Sequence, residues 1–223
     1  MSQLTEATFL RDVAQHQMTI VHEAGEVRHI RFARPGTNHL SFNLTTVPGY
    51  LMVTGDMGDW TFTRLRDMFE FFRTPERYGP GLHINLSYWS EKLTACDCSG
   101  RHPSDGATEF DREKFAAIVR RQGKDLLREA KADGHDKEHR AAMLEDLREL
   151  LSDIDTDDEH HAYRCANEWS FRIGQTRYRF SDLWDHDFRS YAHSFVWACY
   201  AIAWGIQQYD NAKAAASTEQ AAA

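Results

Sequence analysis

The sequence is poor in cysteine, has no surplus of positive charge, and contains no apolar run long enough to cross a bilayer, and each shortage excludes a class of protein. Cys96, Cys98, Cys165 and Cys199 are the only cysteines in 223 residues. That is below the density of a disulfide framework, and a chain of this length builds a core without staples. They read as reduced thiols. The net charge of −8, with a pI near 5.8, argues against a broad phosphate-binding surface, which needs clustered Lys and Arg. The charge-free run from Phe195 to Ile206 falls short of the roughly 20 residues a membrane span requires. Arg189, His193 and Asp210 flank it, so it reads as a helix buried on nearly all sides. Met1–Glu6 shows neither the basic nor the apolar region of a secretory signal. The expectation is a cytosolic protein.

Catalytic signatures are missing too. The sequence has no G-x-S-x-G elbow, no C-x-x-C pair and no G-x-G-x-x-G turn, and no internal repeat marks a solenoid.

What is present is an ordered change of pattern. Residues 4–16 have helical spacing, with Thr5 or Ser2 as a cap. From Met18 to Thr63, short runs alternate with Gly-containing turns: Met18–His22, Val27–Ala33, Leu40–Val47, Tyr50–Thr54 and Trp60–Thr63. This predicts an antiparallel meander. Leu65, Met68, Phe69 and Phe72 then share a helical face up to Pro75. Leu82–Trp89 reads either as extended or as the start of a helix, and residues 97–109 as a loop. Helices are predicted over 111–131, 136–151 and 157–170, the first two turning at Asp133-Gly134. A small hairpin over Phe171–Phe180 and the apolar helix from about Arg189 to Tyr209 follow. The fold class is therefore α+β, an N-terminal antiparallel meander sheet packed with a mostly helical C-terminal half. One integrated domain is expected over 1–211, β-rich to 96 and helical from 110, with 212–223 a disordered tail.

Several constellations are candidates for function. Gly55-Asp56-Met57-Gly58-Asp59-Trp60 reads first as a tight hairpin, its glycines supplying positive φ and its aspartates bonding their own turn. Alternatively, Asp56 and Asp59 hold a divalent ion, or Met57, Asp59 and Trp60 form a protein-contact tip. The segment lacks the Lys-Ser/Thr of a P-loop. Cys96, Cys98 and His102 offer zinc ligands without a defined fourth. His135, Glu138 and His139 are only loosely like a helical zinc motif, in a polar helix start. Asp182, Asp185, His186 and Asp187 either cap a following helix or bind a cation.

The acidic stretch from Glu145 to Glu159, with Asp146, Glu149, Asp153, Asp155, Asp157 and Asp158, is either a solvated face or a surface for a basic partner. Arg172, Arg177 and Arg179 alternate with Tyr178 and Phe180, a pattern that can stack on single-stranded bases. The overall acidity makes nucleic acid the minor reading. No cofactor is expected; a divalent metal is the one ligand the carboxylates suit.

Taken together, Pro48-Gly49-Tyr50, Gly55-Asp56-Met57-Gly58, Phe62-x-Arg64, Asp67-Met68-Phe69-x-Phe71-Phe72-Arg73, Ser87–Leu93 and Trp197 to Asp210 resemble a family of phage and prophage accessory proteins. The likeness touches both halves of the chain and brings no established activity with it. It implies a protein of the bacterial host cytosol that binds a host or phage protein complex, with inhibition of antiviral defence, as by anti-CRISPR proteins, the expected role. The rival reading is a metal-dependent enzyme or nucleotide-binding protein built on Asp56, Asp59 and the Asp182–Asp187 cluster.

Overall fold

In the computed structural model the described residues are 4–73, 79–96 and 106–222. The fold is α+β, a six-stranded antiparallel meander followed by a mostly helical half. Contacts divide the chain into two compact units. Ser2–Thr108 with Tyr191–Ala223 form a sheet unit, and Glu109–Ser190 form a helical unit. The end of the chain thus belongs with its beginning, where the sequence reading divided the chain into consecutive halves of one domain.

In the sheet unit, helix α1 (Glu6–Asp12) starts where Thr5 Oγ accepts the Thr8 N–H, and it buries Phe9. Strands β1 (Gln17–Ala24), β2 (Val27–Ala33), β3 (Phe42–Val47), β4 (Tyr50–Gly55), β5 (Trp60–Thr63) and β6 (Leu93–Cys96) pair in sequence order. Side chains alternate across a strand, so one face carries the apolar set. Ile30, Phe32, Phe42, Leu44, Leu51, Val53, Trp60 and Phe62 are all buried. Burying each such side chain contributes about 1.5–3 kcal/mol.

Helix α2 (Met68–Phe72) begins only at Asp67, whose carboxylate accepts the Phe69 N–H. Leu65 therefore lies outside the helix and is exposed, contrary to the face predicted for it. Helix α3 (Leu86–Ser90) is capped by Asn85, which resolves the Leu82–Trp89 ambiguity towards helix for its second half.

In the helical unit, strand β7 (Thr108–Phe110) leads to α4 (Arg112–Ala132) and α5 (Lys137–Asp153), capped by Asp111 and Asp136. Their turn is a Schellman closure. Gly134 has φ +83°, and the His135 and Gly134 N–H groups donate to the carbonyls of Ala130 and Lys131 at 3.1 and 3.2 Å. Helix α6 (Glu159–Glu168) is capped by Asp158, and the hairpin β8 (Ser170–Ile173) and β9 (Thr176–Arg179) follows. The core gathers Phe115, Val119, Met143, Leu147, Leu150, Ile173, Tyr178 and Phe188. Strand β10 (Arg189–Tyr191) pairs with β7.

The last helix, α7 (His193–Ala222), packs against the sheet's apolar face in the sheet unit. It starts four residues later than predicted, because Arg189–Tyr191 is strand. It also continues through the segment expected to be a disordered tail. Alanine-rich sequence has the highest helix propensity, and Lys213 tethers it to Glu23 at 3.1 Å. No helix of the described residues is long and apolar enough to cross a membrane.

Candidate functional surfaces

The Gly55–Trp60 segment is a structural clasp. A Cβ on Gly55 would lie 2.2 Å from the Ser41 carbonyl oxygen, so only glycine fits there. Asp56 Oδ2 accepts the Leu40 N–H at 2.8 Å, holding a leucine at φ +55°. Asp59 Oδ1 accepts the Gly55 N–H at 3.2 Å. Trp60 is buried edge-on against Phe195, and Met57 packs against the same core. The exposed contact tip expected from Met57 and Trp60 is thus corrected: alternation from β5 sends Trp60 inward.

Side chains from β1, β2, α2 and α7 also converge inside the sheet unit. Arg28, buried on β2, makes two 2.9 Å bonds to Asp67. Its guanidinium lies 4.6 Å from the centre of the Phe69 ring and 5.6 Å from that of Tyr209. The Tyr209 hydroxyl donates to Glu23, and Arg73 makes bonds of 2.8 and 2.9 Å to Asp210. Burial pushes the Asp67 carboxyl up, but the Arg28 hydrogen bonds and the Phe69 N–H outweigh it and leave it below its ordinary range. Glu23 is lowered by the Tyr209 and Lys213 hydrogen bonds, while burial and then Glu23 raise Tyr209. This network fastens β1, β2, α2 and α7 together.

In the helical unit most of the acidic stretch is already engaged. Asp146 accepts from the Trp169 indole at 2.6 Å, Asp155 and Asp157 lie 3.7 and 3.8 Å from Arg112, Asp158 caps α6 and Glu159 pairs with Arg189 at 2.7 Å. Glu149 and Asp153 are exposed.

The Asp182–Asp187 cluster does similar local work. Asp182 stands at φ +56° before a 3₁₀ turn, Leu183–Asp185, and Asp187 binds the Arg189 N–H and Lys114. Asp56 and Asp59 belong to the sheet unit, whereas this cluster belongs to the helical unit. Among the described residues, no group of three His, Cys, Asp or Glu is placed to hold a metal ion. His139 bonds its own cap residue Asp136 at 2.8 Å. Cys98 and His102 lie outside the described residues.

Arg172, Arg177 and Arg179 are exposed on one face of the β8–β9 hairpin, Arg172 directly opposite Arg177. Tyr178 corrects the stacking reading. It is buried, its hydroxyl donates to Asp133 at 2.6 Å, and burial followed by Asp133 pushes its pKa up to about 12.

The surface that sequence reasoning missed is the outer face of the sheet. Register aligns Thr19, Arg31, Asn43 and Thr54 in one row, His22, His29, Thr45, Met52 and Thr61 in the next, and Val47, Tyr50 and Thr63 in a third. None is a carboxylate, in a chain with 34 acidic residues. Val27, Val47 and Tyr50 are 37%, 37% and 46% exposed there. At one corner, the start of β1 and the β2–β3 loop enclose an open concavity of about 510 Å³. The signal was the set of outward positions in each strand, which read as neutral filler until register joined them. Chemically the face offers hydrogen-bonding hydroxyls, an amide and imidazoles, an apolar row and Arg31, with Arg34 beside it in the β2–β3 loop.

Compared with known proteins, the chain matches no protein-family model, no curated protein and no solved structure.

Proposed function

We propose that this protein is a phage accessory protein of the bacterial host cytosol that docks through the outer face of its six-stranded sheet onto a host or phage protein complex and inhibits antiviral defence, anti-CRISPR activity being the form the family resemblance suggests. The observation that carries the reading is that, among the described residues, the aligned outward rows of the sheet hold no carboxylate in an otherwise acidic chain. Such a face presents apolar contact at Val27, Val47 and Tyr50, at its hairpin end, beside hydrogen-bonding rows, and protein interfaces use apolar and hydrogen-bonding contact together. Arg31 favours a partner with an acidic surface, since complementary charge raises on-rate and discriminates between partners.

The test is affinity purification from phage-infected cells with the wild-type chain and with Val47→Glu/Tyr50→Glu. The wild type retains a stoichiometric protein complex and protects phage in a defence-positive host, and the double variant loses both while remaining folded. An intact wild-type chain that retains no stoichiometric partner would sink the proposal.

A further inference from the structure

We propose that the concavity at the corner of the outer sheet face is a binding site for a small ligand bearing a phosphate monoester, of the mononucleotide class. Its volume of about 510 Å³ falls within the roughly 300–1,000 Å³ of small-molecule sites. Arg31 and Arg34 line it together with Gln17, Thr19, Thr37 and Asn38, and no Asp or Glu is among its lining residues. A phosphate monoester carries about 1.5–2 negative charges near neutral pH, and two guanidinium groups match that charge, each with a fork of donors suited to phosphate oxygens.

The site is built on paired strands. Gln17 sits opposite Ala33 and Thr19 opposite Arg31 in the β1–β2 ladder. Arg31 is held in place by a 2.8 Å hydrogen bond from its Nη2 to Asn38 Oδ1. Arg34 is exposed and makes no ion pair with any described residue, so its charge is available. Gly36, at φ +80° with nothing within 4 Å of a notional Cβ, leaves the rim of the loop open. Gln17, Thr19 and Thr37 supply neutral donors and acceptors that suit the hydroxyls and base edges of the rest of such a ligand.

A nucleic-acid strand fits less well. Its backbone needs a track of cations to neutralise successive phosphates, and beyond Arg31 the aligned rows of this face carry imidazoles and neutral groups. The site shares Thr19 and Arg31 with the docking face, but it rests on the lining of the concavity and not on the apolar row, so the Arg34 variants test it separately from Val47→Glu/Tyr50→Glu.

The experiment titrates the full chain with 5′-AMP, inorganic phosphate, adenosine and a short oligothymidylate, by calorimetry and by NMR of the arginine side chains. AMP is expected to bind saturably at one site and to shift Arg31 and Arg34, with phosphate competing and adenosine failing to bind. Arg34→Ala, at an exposed position that leaves folding intact, is expected to weaken AMP about tenfold or more, the loss of one charge-assisted hydrogen-bonding partner. Arg34→Glu is expected to abolish binding. Any of four results overturns the proposal: no binding of AMP or phosphate, adenosine binding as well as AMP, oligothymidylate binding where AMP does not, or AMP affinity unchanged in both Arg34 variants.

Discussion

Arg28 and Asp67, 39 residues apart, meet through two parallel 2.9 Å hydrogen bonds, with their side chains only 9% and 17% exposed. The same carboxylate also caps α2, so a single side chain joins the helix start to the sheet. Removing one member of a buried pair strands the other charge, at a cost of about 3–5 kcal/mol. Arg28→Ala is therefore expected to destabilise the sheet unit by that amount, read by urea unfolding. A loss below about 1 kcal/mol would show that water replaces the guanidinium.

Acidification probes the same contact. Asp67 holds its proton less tightly in the folded chain than in the unfolded one, where its value is near 3.8. The stability it contributes is fully present above that unfolded value and is lost as pH falls through the lower folded one. Asp67→Asn should reduce stability at neutral pH and flatten its dependence on pH in the acid range, measured by unfolding across that range.

Alkali should act on the helical unit. Tyr178 titrates at about 12 when folded, against 10 for an ordinary tyrosine. The unfolded chain therefore loses this proton first, and stability falls as pH rises from 10 to about 12. Tyr178→Phe removes that slope, at a cost of about 1.5–3 kcal/mol for the lost hydrogen bond to the Asp133 carboxylate. Hydrogen exchange of α4 and α5 amides over this range would reveal the difference.

Close packing between α7 and the sheet gives a third kind of test. A Cβ on Gly205 would lie 2.7 Å from Leu44 Cδ1 and 3.1 Å from the Phe32 ring. Gly205→Ala overpacks the interface and is expected to cost about 1–3 kcal/mol despite the better helix propensity of alanine. An increase in thermal stability would mean that Leu44 repacks freely.

At Gly55 the obstacle is backbone and cannot rotate away. Gly55→Ala forces its Cβ onto the Ser41 carbonyl and is expected to cost about 3 kcal/mol or more, in the upper range for single substitutions. Asp56→Ala should cost less, because it removes one bond to the Leu40 amide. Equal effects from the two would contradict the clasp described for this hairpin.

How much of this was legible beforehand depended on range. Strand and helix positions followed from periodicity: the alternation of Val27–Ala33 and the apolar stripe of α4 are local patterns, and each was readable where it stood. Caps such as Asp136 and Asp158 act within three residues and sit where the predicted helices begin, whereas Asp67 starts its helix three residues later than the spacing from Leu65 predicts. Strand β6 was not foreseen, because four residues with only Leu93 buried have too little pattern to announce a strand. The Ala-rich end reads as a tail because it lacks an apolar face, yet it is helical through Ala222. Helix propensity needs no such face, and the Lys213–Glu23 tether spans 190 residues of sequence.

The site candidates divide along the same line. The Gly-Asp-Met-Gly segment was recognisable as a turn, since positive φ at glycine is a local requirement. That its aspartates serve Leu40 and Gly55, and that Trp60 points inward, depends on register. The sequence by itself determined the α+β class, the meander and most helix starts, because these depend on residues a few positions apart. Tertiary structure alone decided that Arg28 pairs with Asp67, that the acidic stretch is largely engaged, and that scattered residues from successive strands align in outward rows with no carboxylate among the described residues. The physical reason is that pairing, burial and electrostatic complementarity act through space, between residues that no sequence period connects.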